Sequence, residues 1–307
     1  MIADDLRDAI WPDVHVAKWA ATKRSFHLFA QMLGKTRLAL SPTQPNWMFT
    51  ALYLTSRGLT TGAMPLDDGS LEARIDALSS EIRLDRSTGE SITLSLTPAR
   101  TVAHVYDELK TALQTLRASC VITPIPQELP DVTPFDEDDR PGAYDPSAVA
   151  RWFHSATTAA TIFDRWRSRF FGRSGVQVWW GALDVSLMLF NGKKVPAPRD
   201  RGYLLRYDLD AELMNVGLYY GDENTAPFFY GYIYPEPPDA AKLPIAPAAA
   251  SWSDKLREWV LPYDAVRDAA DPVAELRAFL DGMYHLCVTV AGWDDASLTY
   301  DAPPRRL

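Results

Sequence analysis

The fold class is decided by one stretch of the chain, which runs from Ser91 to Arg117 and reads SITLSLTPARTVAHVYDELKTALQTLR. Its first part, Ser91–Leu96, predicts a strand, and upstream Leu71–Leu84 predicts one or two more, with Ser87–Glu90 as the tight turn between them. Its second part, Thr101–Arg117, predicts a helix, because its apolar side chains recur at the three-and-four spacing of one buried face: Val102, Val105, Tyr106, Leu109, Leu113 and Leu116. Helices beside antiparallel strands indicate an α+β fold rather than a parallel, doubly wound sheet.

Working outward from this stretch, the pattern predicts further helices and strands on both sides. The predicted helices start at the caps Asp13 and Asp145 and end at Gly34 and Gly172, and a last one runs from Asp271 to Gly292 with Val273, Leu276, Leu280, Met283 and Cys287 on its buried face. The other predicted strands are Thr36–Leu40, Trp47–Leu59, Cys120–Ile125, Val176–Phe190, Leu204–Tyr220 and Pro227–Tyr234. A loop rich in Pro and Ala, Pro235–Ala250, carries no periodic signal.

The two halves of the chain follow the same order of elements. Val16-Ala17-Lys18-Trp19 stands 133 residues before Val149-Ala150-Arg151-Trp152, since 149 − 16 = 133. A constant offset indicates an internal duplication of a unit made of a helix, a three-strand antiparallel meander and a helix, although short matches also arise by chance. We therefore predict an N-terminal half at 1–129, an acidic, Pro-rich linker at 130–146 and a C-terminal half at 147–307. The linker is expected to be solvated, because its run Phe135-Asp136-Glu137-Asp138-Asp139 is too acidic to form a core.

The composition restricts the class of protein. The 307 residues carry a net charge of −9, which argues against a nucleic-acid binder, since such proteins neutralise phosphates with Lys and Arg. Two cysteines, no signal-peptide pattern at Met1–Asp5 and no long apolar run predict a cytoplasmic protein without a membrane span. The five histidines do not stand at metal-ligand spacing, and no Gly-x-Gly pair occurs, so we expect neither a metal nor a nucleotide cofactor.

Five residues are candidates for a functional site. Asp184 interrupts an otherwise apolar strand, so it is solvated, paired with a base such as Arg165 or Arg169, or in contact with a ligand. His27 is either a hydrogen-bonded helix residue or an acid–base group. Arg57 is a possible cationic counterpart, and Trp180 and Tyr232 are aromatic side chains that line either a core or a ligand site.

The chain also resembles an uncharacterised, mainly bacterial family of about this length, which is a domain of unknown function. The resemblance rests on Phe26-His27, Gln31, Gly34-Lys35 and Leu52–Thr61 in the first half. In the second half it rests on Trp180–Asp184, Tyr232–Pro237, Leu261–Arg267 and Ala291–Asp294. It covers nearly the whole chain but implies no activity.

These observations predict a protein that binds a small molecule or peptide in an aromatic-lined cleft between the two halves, furnished by His27, Arg57, Trp180, Asp184 and Tyr232. One alternative is a metal-independent enzyme in which His27 acts as acid–base and Asp184 or Arg57 orients the substrate. Another is a structural or protein-interaction module, which would present an exposed apolar patch. The sequence leaves the oligomeric state open.

Overall fold

The computed structural model describes residues 8–199 and 202–300. Its α-helices are α1 (Ala20–Leu40), α2 (Val102–Thr115), α3 (Pro146–Arg167), α4 (Tyr203–Asp208), α5 (Tyr263–Arg267), α6 (Pro272–Thr289) and α7 (Asp295–Leu298). Short 3-10 turns occur at Val16–Lys18, Pro45–Trp47, Phe135–Glu137 and Ala240–Lys242.

Within the described ranges, the strands form two antiparallel sheets of six strands each, which confirms the α+β class. The first sheet contains β1 (Tyr53–Leu54), β2 (Gly58–Thr60), β3 (Met64–Leu66), β4 (Gly69–Asp76), β5 (Glu81–Arg86) and β6 (Ser91–Ser95). The second contains β7 (Gln177–Trp179), β8 (Asp184–Lys194), β9 (Ala211–Tyr219), β10 (Phe228–Tyr234), β11 (Ser251–Ser253) and β12 (Glu258–Pro262).

The chain divides into two compact units, which are described separately. Unit 1 comprises the described part of Met1–Thr157 together with Gln177–Asp184, and unit 2 comprises Thr158–Val176 and the described part of Val185–Leu307. The predicted boundaries at 129 and 147 and the internal duplication stay predictions. The N-terminal segment Met1–Asp5, on which the absence of a signal peptide was predicted, lies outside the described residues.

Unit 1 is built around helix α1 and the first sheet. The strands follow the order β1-β2-β4-β5-β6, with β3 also paired to β4. Helix α1 is buried along most of its length, and its Phe26 ring packs against Trp152 at 4.7 Å between ring centroids. Helix α2 begins as predicted, because the Thr101 side chain accepts a hydrogen bond from the His104 amide at 3.1 Å.

Unit 2 packs its helices against the second sheet. From Val185 onward, the strands of this unit follow the order β11-β12-β10-β9-β8. Phe229 of β10 contacts Phe163 and Tyr263 with centroids 6.5 and 6.1 Å apart, and so joins the sheet to two helices. The predicted cap Asp271 accepts from the Ala274 amide at 3.0 Å, but Val273 is 44% exposed and does not belong to the buried face of α6.

The predicted end of the first helix at Gly34 is wrong, since α1 continues to Leu40 and includes the predicted strand Thr36–Leu40. Gly34 is required for another reason: a Cβ at this position would overlap the indole of Trp180, which packs against the helix. The glycine therefore marks a close contact and not a helix end. The prediction used a local signal, a glycine after a helical pattern. The residue that requires this glycine, Trp180, is 146 positions further along the chain (180 − 34 = 146).

Positive φ angles break two predicted long strands. The strand predicted at Trp47–Leu59 is replaced by a 3-10 turn and two short strands, because Asn46 and Trp47 have φ of 54° and 56°. The strand predicted at Val176–Phe190 is divided into β7 and β8 by a turn in which Leu183 has φ of 61°.

Three further predictions of secondary structure are corrected. Cys120–Ile125 is not a strand: its Ile122 carbonyl accepts from the Tyr106 hydroxyl at 2.8 Å, and its Pro124 carbonyl accepts from the Phe135 amide at 2.9 Å. The helix expected to end at Gly172 ends at Arg167, and a Cβ at Gly172 would overlap the Phe190 carbonyl. The range 204–220 begins in helix α4 and becomes a strand only at Ala211.

The acidic segment at 130–146 is not solvated throughout. Phe135 is fully buried and contacts Tyr106 of α2 with ring centroids 5.5 Å apart. Asp138 is also buried and forms ion pairs with Arg24 and Arg140, which compensate for the loss of water around its charge. Buried aromatic side chains and paired carboxylates thus hold parts of this acidic, Pro-rich segment.

Candidate functional site

An open groove with a volume of about 420 Å³ lies in unit 1 between strand β6 and helix α2. We call it the β6–α2 groove, and it is lined by Ile92, Leu94, His104, Asp107, Glu108, Thr111, Ala112 and Thr115. Its volume is in the range of about 300–1,000 Å³ that is usual for ligand sites. The sequence predicted both elements but not the groove between them.

Strand β6 is an edge strand with free backbone groups. It ends the order of the first sheet, and its pairing with β5 places Ile92 opposite Leu84 and Leu94 opposite Ile82. In an antiparallel pair of strands, every second pair of opposite residues is joined by backbone hydrogen bonds. The bonds from Leu96 N to Ser80 O and from Arg86 N to Glu90 O show which pairs these are. It follows that the backbone groups of Ile92 and Leu94 bond to β5.

The alternate residues Ser91, Thr93 and Ser95 therefore direct their N–H and C=O groups away from β5. In the part of the chain that the structure describes, no strand pairs with this outer edge. Natural edge strands are commonly protected by charge, proline or a bulge, and β6 has neither a charged residue nor a proline. A row of free backbone groups of this kind is a template for an additional strand.

The opposite wall of the groove is one face of helix α2. His104, Glu108, Thr111 and Thr115 are spaced by four, three and four residues, so they form one stripe. At a rise of 1.5 Å per residue this stripe is about 16.5 Å long, and the four steps from Ser91 to Ser95 at about 3.3 Å each span about 13 Å. Wall and strand are therefore of comparable length.

Helix α2 runs antiparallel to β6. At the C-terminal end of the helix, Arg86 donates to the Leu116 carbonyl at 2.7 Å, and Arg117 forms an ion pair with Glu90, the residue before β6, at 3.2 Å. The short connection 96–101 keeps the start of the helix close to the end of the strand. The carboxylates of the groove therefore lie toward Leu94, and its hydroxyl groups lie toward Ile92.

The two carboxylates of the groove differ in how they are held. Glu108 is paired with Arg100 and with His104 Nε2, the latter at 3.2 Å. Asp107 is 68% exposed and is paired with Lys110 at 3.0 Å, a contact that raises the pKa of Lys110 through its hydrogen bond. Since exposed ion pairs contribute little net stability, the Asp107 carboxylate is available to another cation.

The structure brings two of the predicted site residues together, His27 and Trp180. His27 is only 4% exposed, and its Nε2 lies 2.9 Å from the Trp180 carbonyl and 3.0 Å from the Gly181 carbonyl. Burial lowers the pKa of His27 to about 4, so the ring is neutral at pH 7 and its Nε2–H donates to these carbonyls. This geometry gives His27 a structural hydrogen bond, and its acid–base role stays a prediction.

Trp180 is buried between helix α1 and a neighbouring loop. Its Nε1 donates to the Thr50 carbonyl at 2.9 Å, and its ring lies 5.7 Å from Nζ of Lys35. Lys35 Nζ donates to Thr123 Oγ1 at 2.9 Å, and burial lowers the pKa of this amine to about 8. The indole is thus a packing element of unit 1 in addition to being a predicted ligand contact.

The other three predicted site residues have separate surroundings. Arg57 is exposed and forms an ion pair with Asp76, whose hydrogen bond raises the pKa of the guanidinium. Asp184 is buried at the start of β8. Tyr232 of β10 is half-buried, and its hydroxyl accepts a hydrogen bond from Asn215 Nδ2 at 3.2 Å. Ligand binding by these residues stays a prediction.

Two structural properties concern metals and membranes. Within 8–199 and 202–300, no three or more His, Cys, Asp or Glu side chains are grouped so that they could hold a metal ion. Each helix in the same ranges is too short or too polar to cross a lipid bilayer.

Comparison with known proteins identifies the family and nothing more specific. Neither the curated proteins nor the solved structures give a significant match to the chain. Residues 11–300, which include all the helices and strands described above, match one family. The chain therefore belongs to DUF5996, a family of unknown function.

Proposed function

We propose that this protein binds an extended peptide, which pairs with the outer edge of β6 and places alternate side chains in the β6–α2 groove. The observation that carries the proposal is the free backbone edge at Ser91, Thr93 and Ser95 beside a groove of comparable length. Strand addition next to a helix is an established mode of peptide recognition, in which the main chain supplies affinity and the groove supplies specificity.

The expected contacts follow from the pairing of β6. Each new bond to the backbone of Ser91, Thr93 or Ser95 contributes about 0.5–1.5 kcal/mol net, because it replaces a bond to water. Peptide side chains on the same face as Ile92 and Leu94 enter the groove and cover those apolar residues together with Ala112. Side chains on the other face remain in water.

This proposal is preferred to the predicted ligand site at Trp180 and to the predicted enzyme that uses His27. Both side chains are almost fully buried, at 6% and 4% exposure, and their ring N–H groups already donate to carbonyl oxygens. The β6 edge instead offers backbone groups that are not used by any described strand.

The first test is a proline substitution at the centre of the edge. Thr93→Pro removes an N–H that points away from β5, so the pairing with β5 is kept while the outer edge is blocked. The probe is a peptide selected by the purified protein from a random phage-displayed library. We expect Thr93→Pro to weaken its binding at least about tenfold, while the control Thr93→Val, which keeps the N–H, binds nearly as well.

The second test fills the groove from the helix side. Thr111→Arg places a long side chain in the groove, whereas the matched control Gln114→Arg adds the same side chain at an exposed position of α2 outside it. Only the first substitution should abolish binding. Circular dichroism and the thermal midpoint verify that each variant is folded.

Amide exchange locates the peptide. In the complex, the amides of Ser91, Thr93 and Ser95 should become protected, while those of Ile92 and Leu94 are protected with or without the peptide because they bond to β5. The proposal is wrong if the library yields no binder or if binders leave these three amides unprotected. A concentration-dependent dimer that Thr93→Pro dissociates would also contradict it, because the edge would then belong to a second copy of the chain.

A further inference from the structure

Apart from His104, the titratable side chains that line the β6–α2 groove are carboxylates. Its lining contains two carboxylates, Asp107 and Glu108, and neither lysine nor arginine. Both carboxylates belong to the N-terminal part of α2, whereas the C-terminal part contributes Thr111, Ala112 and Thr115. Because α2 is antiparallel to β6, the groove has an acidic end beside Leu94 and an uncharged end beside Ile92.

We infer that the peptide carries an arginine or lysine side chain at the position that faces the Leu94 end of the groove, where Asp107 and Glu108 bind it, and an uncharged side chain at the Thr111–Thr115 end. This inference rests on the proposed function and names the class of its ligand. Two peptide side chains enter the groove, one beside Ile92 and one beside Leu94. Because only the one beside Leu94 meets the carboxylates, the basic residue also sets which peptide residue pairs with which residue of β6.

The arrangement of the two carboxylates suits such a ligand. Glu108 is fixed by Arg100 and His104, so its position is set before the peptide arrives. Asp107 is held only by the exposed Lys110, which returns to water at little cost when a peptide cation replaces it. An arginine is favoured over a lysine, because its planar guanidinium can donate to two carboxylate oxygens at once.

The uncharged end complements this selection. Thr111 and Thr115 are exposed hydroxyl-bearing side chains next to the buried Ala112. The residues that line this end carry no charge, so a charged peptide side chain here would gain no partner of opposite sign from the lining. Small or β-branched side chains, which also favour an extended backbone, are therefore expected at this position.

The test compares one selected peptide with a variant in which its basic residue is replaced by glutamine. Asp107→Asn should weaken binding of the basic peptide about fivefold, which corresponds to about 1 kcal/mol, and should leave the glutamine variant nearly unchanged. The matched control is Asp67→Asn, which removes the same charge from an exposed turn outside the groove and should have no effect. Added salt should weaken binding of the basic peptide more than that of the glutamine peptide.

A charge reversal completes the experiment. Asp107→Lys should select peptides with an acidic residue at the same position when the library is screened again. If selected peptides protect Ser91, Thr93 and Ser95 but lack a basic residue, or if Asp107→Asn leaves affinity for the basic peptide within twofold, this inference is wrong while the proposed function stands. If those amides stay unprotected, both are wrong.

Discussion

The packing of Trp180 on Gly34 predicts that Gly34→Ala changes the free energy of unfolding in opposite directions with and without the indole. In the middle of a helix, Gly→Ala normally stabilises a protein by about 0.5–1 kcal/mol. Gly34→Ala should have the opposite effect, because the new methyl group would overlap the indole of Trp180. Either the helix moves, or Trp180 leaves its site and gives up its hydrogen bond to the Thr50 carbonyl.

The size of the effect follows from these two routes. Forcing additional volume into a packed site costs about 1–3 kcal/mol, and a lost hydrogen bond that leaves a buried carbonyl without a partner costs about 1–3 kcal/mol. Only one of the two routes is taken, so after subtraction of the gain in helix propensity Gly34→Ala should lower the free energy of unfolding by about 1 kcal/mol. In a Trp180→Ala background the overlap is absent, so the same substitution should raise it by about 0.5–1 kcal/mol.

Urea denaturation of the four proteins of this double-mutant cycle, followed by circular dichroism, measures the coupling between the two positions. We expect a coupling free energy of about 2 kcal/mol, which is the cost of the overlap itself. Trp180 does not restrict position 34 if Gly34→Ala stabilises the protein that retains Trp180, or if the substitution remains equally destabilising after Trp180→Ala. Equal slopes of the denaturation curves verify that the unfolding reaction is the same in each variant.

Three further predictions concern stability. Thr101→Ala removes the cap of α2 and should cost about 1 kcal/mol in urea denaturation, whereas Thr101→Ser should cost little. Phe135→Ala should cost about 3–5 kcal/mol, because the ring is fully buried; a value below 1 kcal/mol would contradict the packing of the acidic segment. His27 is neutral when folded and protonated when unfolded between pH 6.5 and about 4. The free energy of unfolding should therefore fall by about 3 kcal/mol as the pH is lowered through this range, and His27→Gln should remove that part of the pH dependence.

The sequence predicted those elements whose determinants are local. The start of helix α2 at Thr101, the turn before Ser91 and the cap at Asp271 depend on contacts within a few residues, and each was found where it was predicted. The errors arise where a distant contact overrides the local pattern. Gly34 has the form of a helix end, yet its role is set by Trp180, which no pattern near Gly34 contains.

The candidate site could be predicted only in part for a similar reason. The edge of a sheet is a property of strand order, and nothing within Ser91–Ser95 states that β6 is the last strand. One signal was present, since His104, Glu108, Thr111 and Thr115 form a polar stripe beside a β-rich segment without charge or proline. The hydrogen bonds of His27 could not be predicted either, because its partners are backbone carbonyls and every residue has one.

Helix α1 also controls the path of a loop that has no regular structure of its own. The side chain of Gln31 donates to the Gln127 carbonyl at 2.7 Å and accepts from the Gln127 backbone amide at 2.8 Å. The amide side chain thus bonds to both backbone groups of Gln127, as a residue of a neighbouring strand would. Because Gln127 takes part in both contacts only through its main-chain atoms, position 127 can carry almost any side chain without changing the loop. Position 31 has no such freedom: Glu would lose the donor, and Leu would leave two backbone groups without partners. The side chain of Gln31 thus fixes the backbone of this loop at position 127, whichever side chain that position carries.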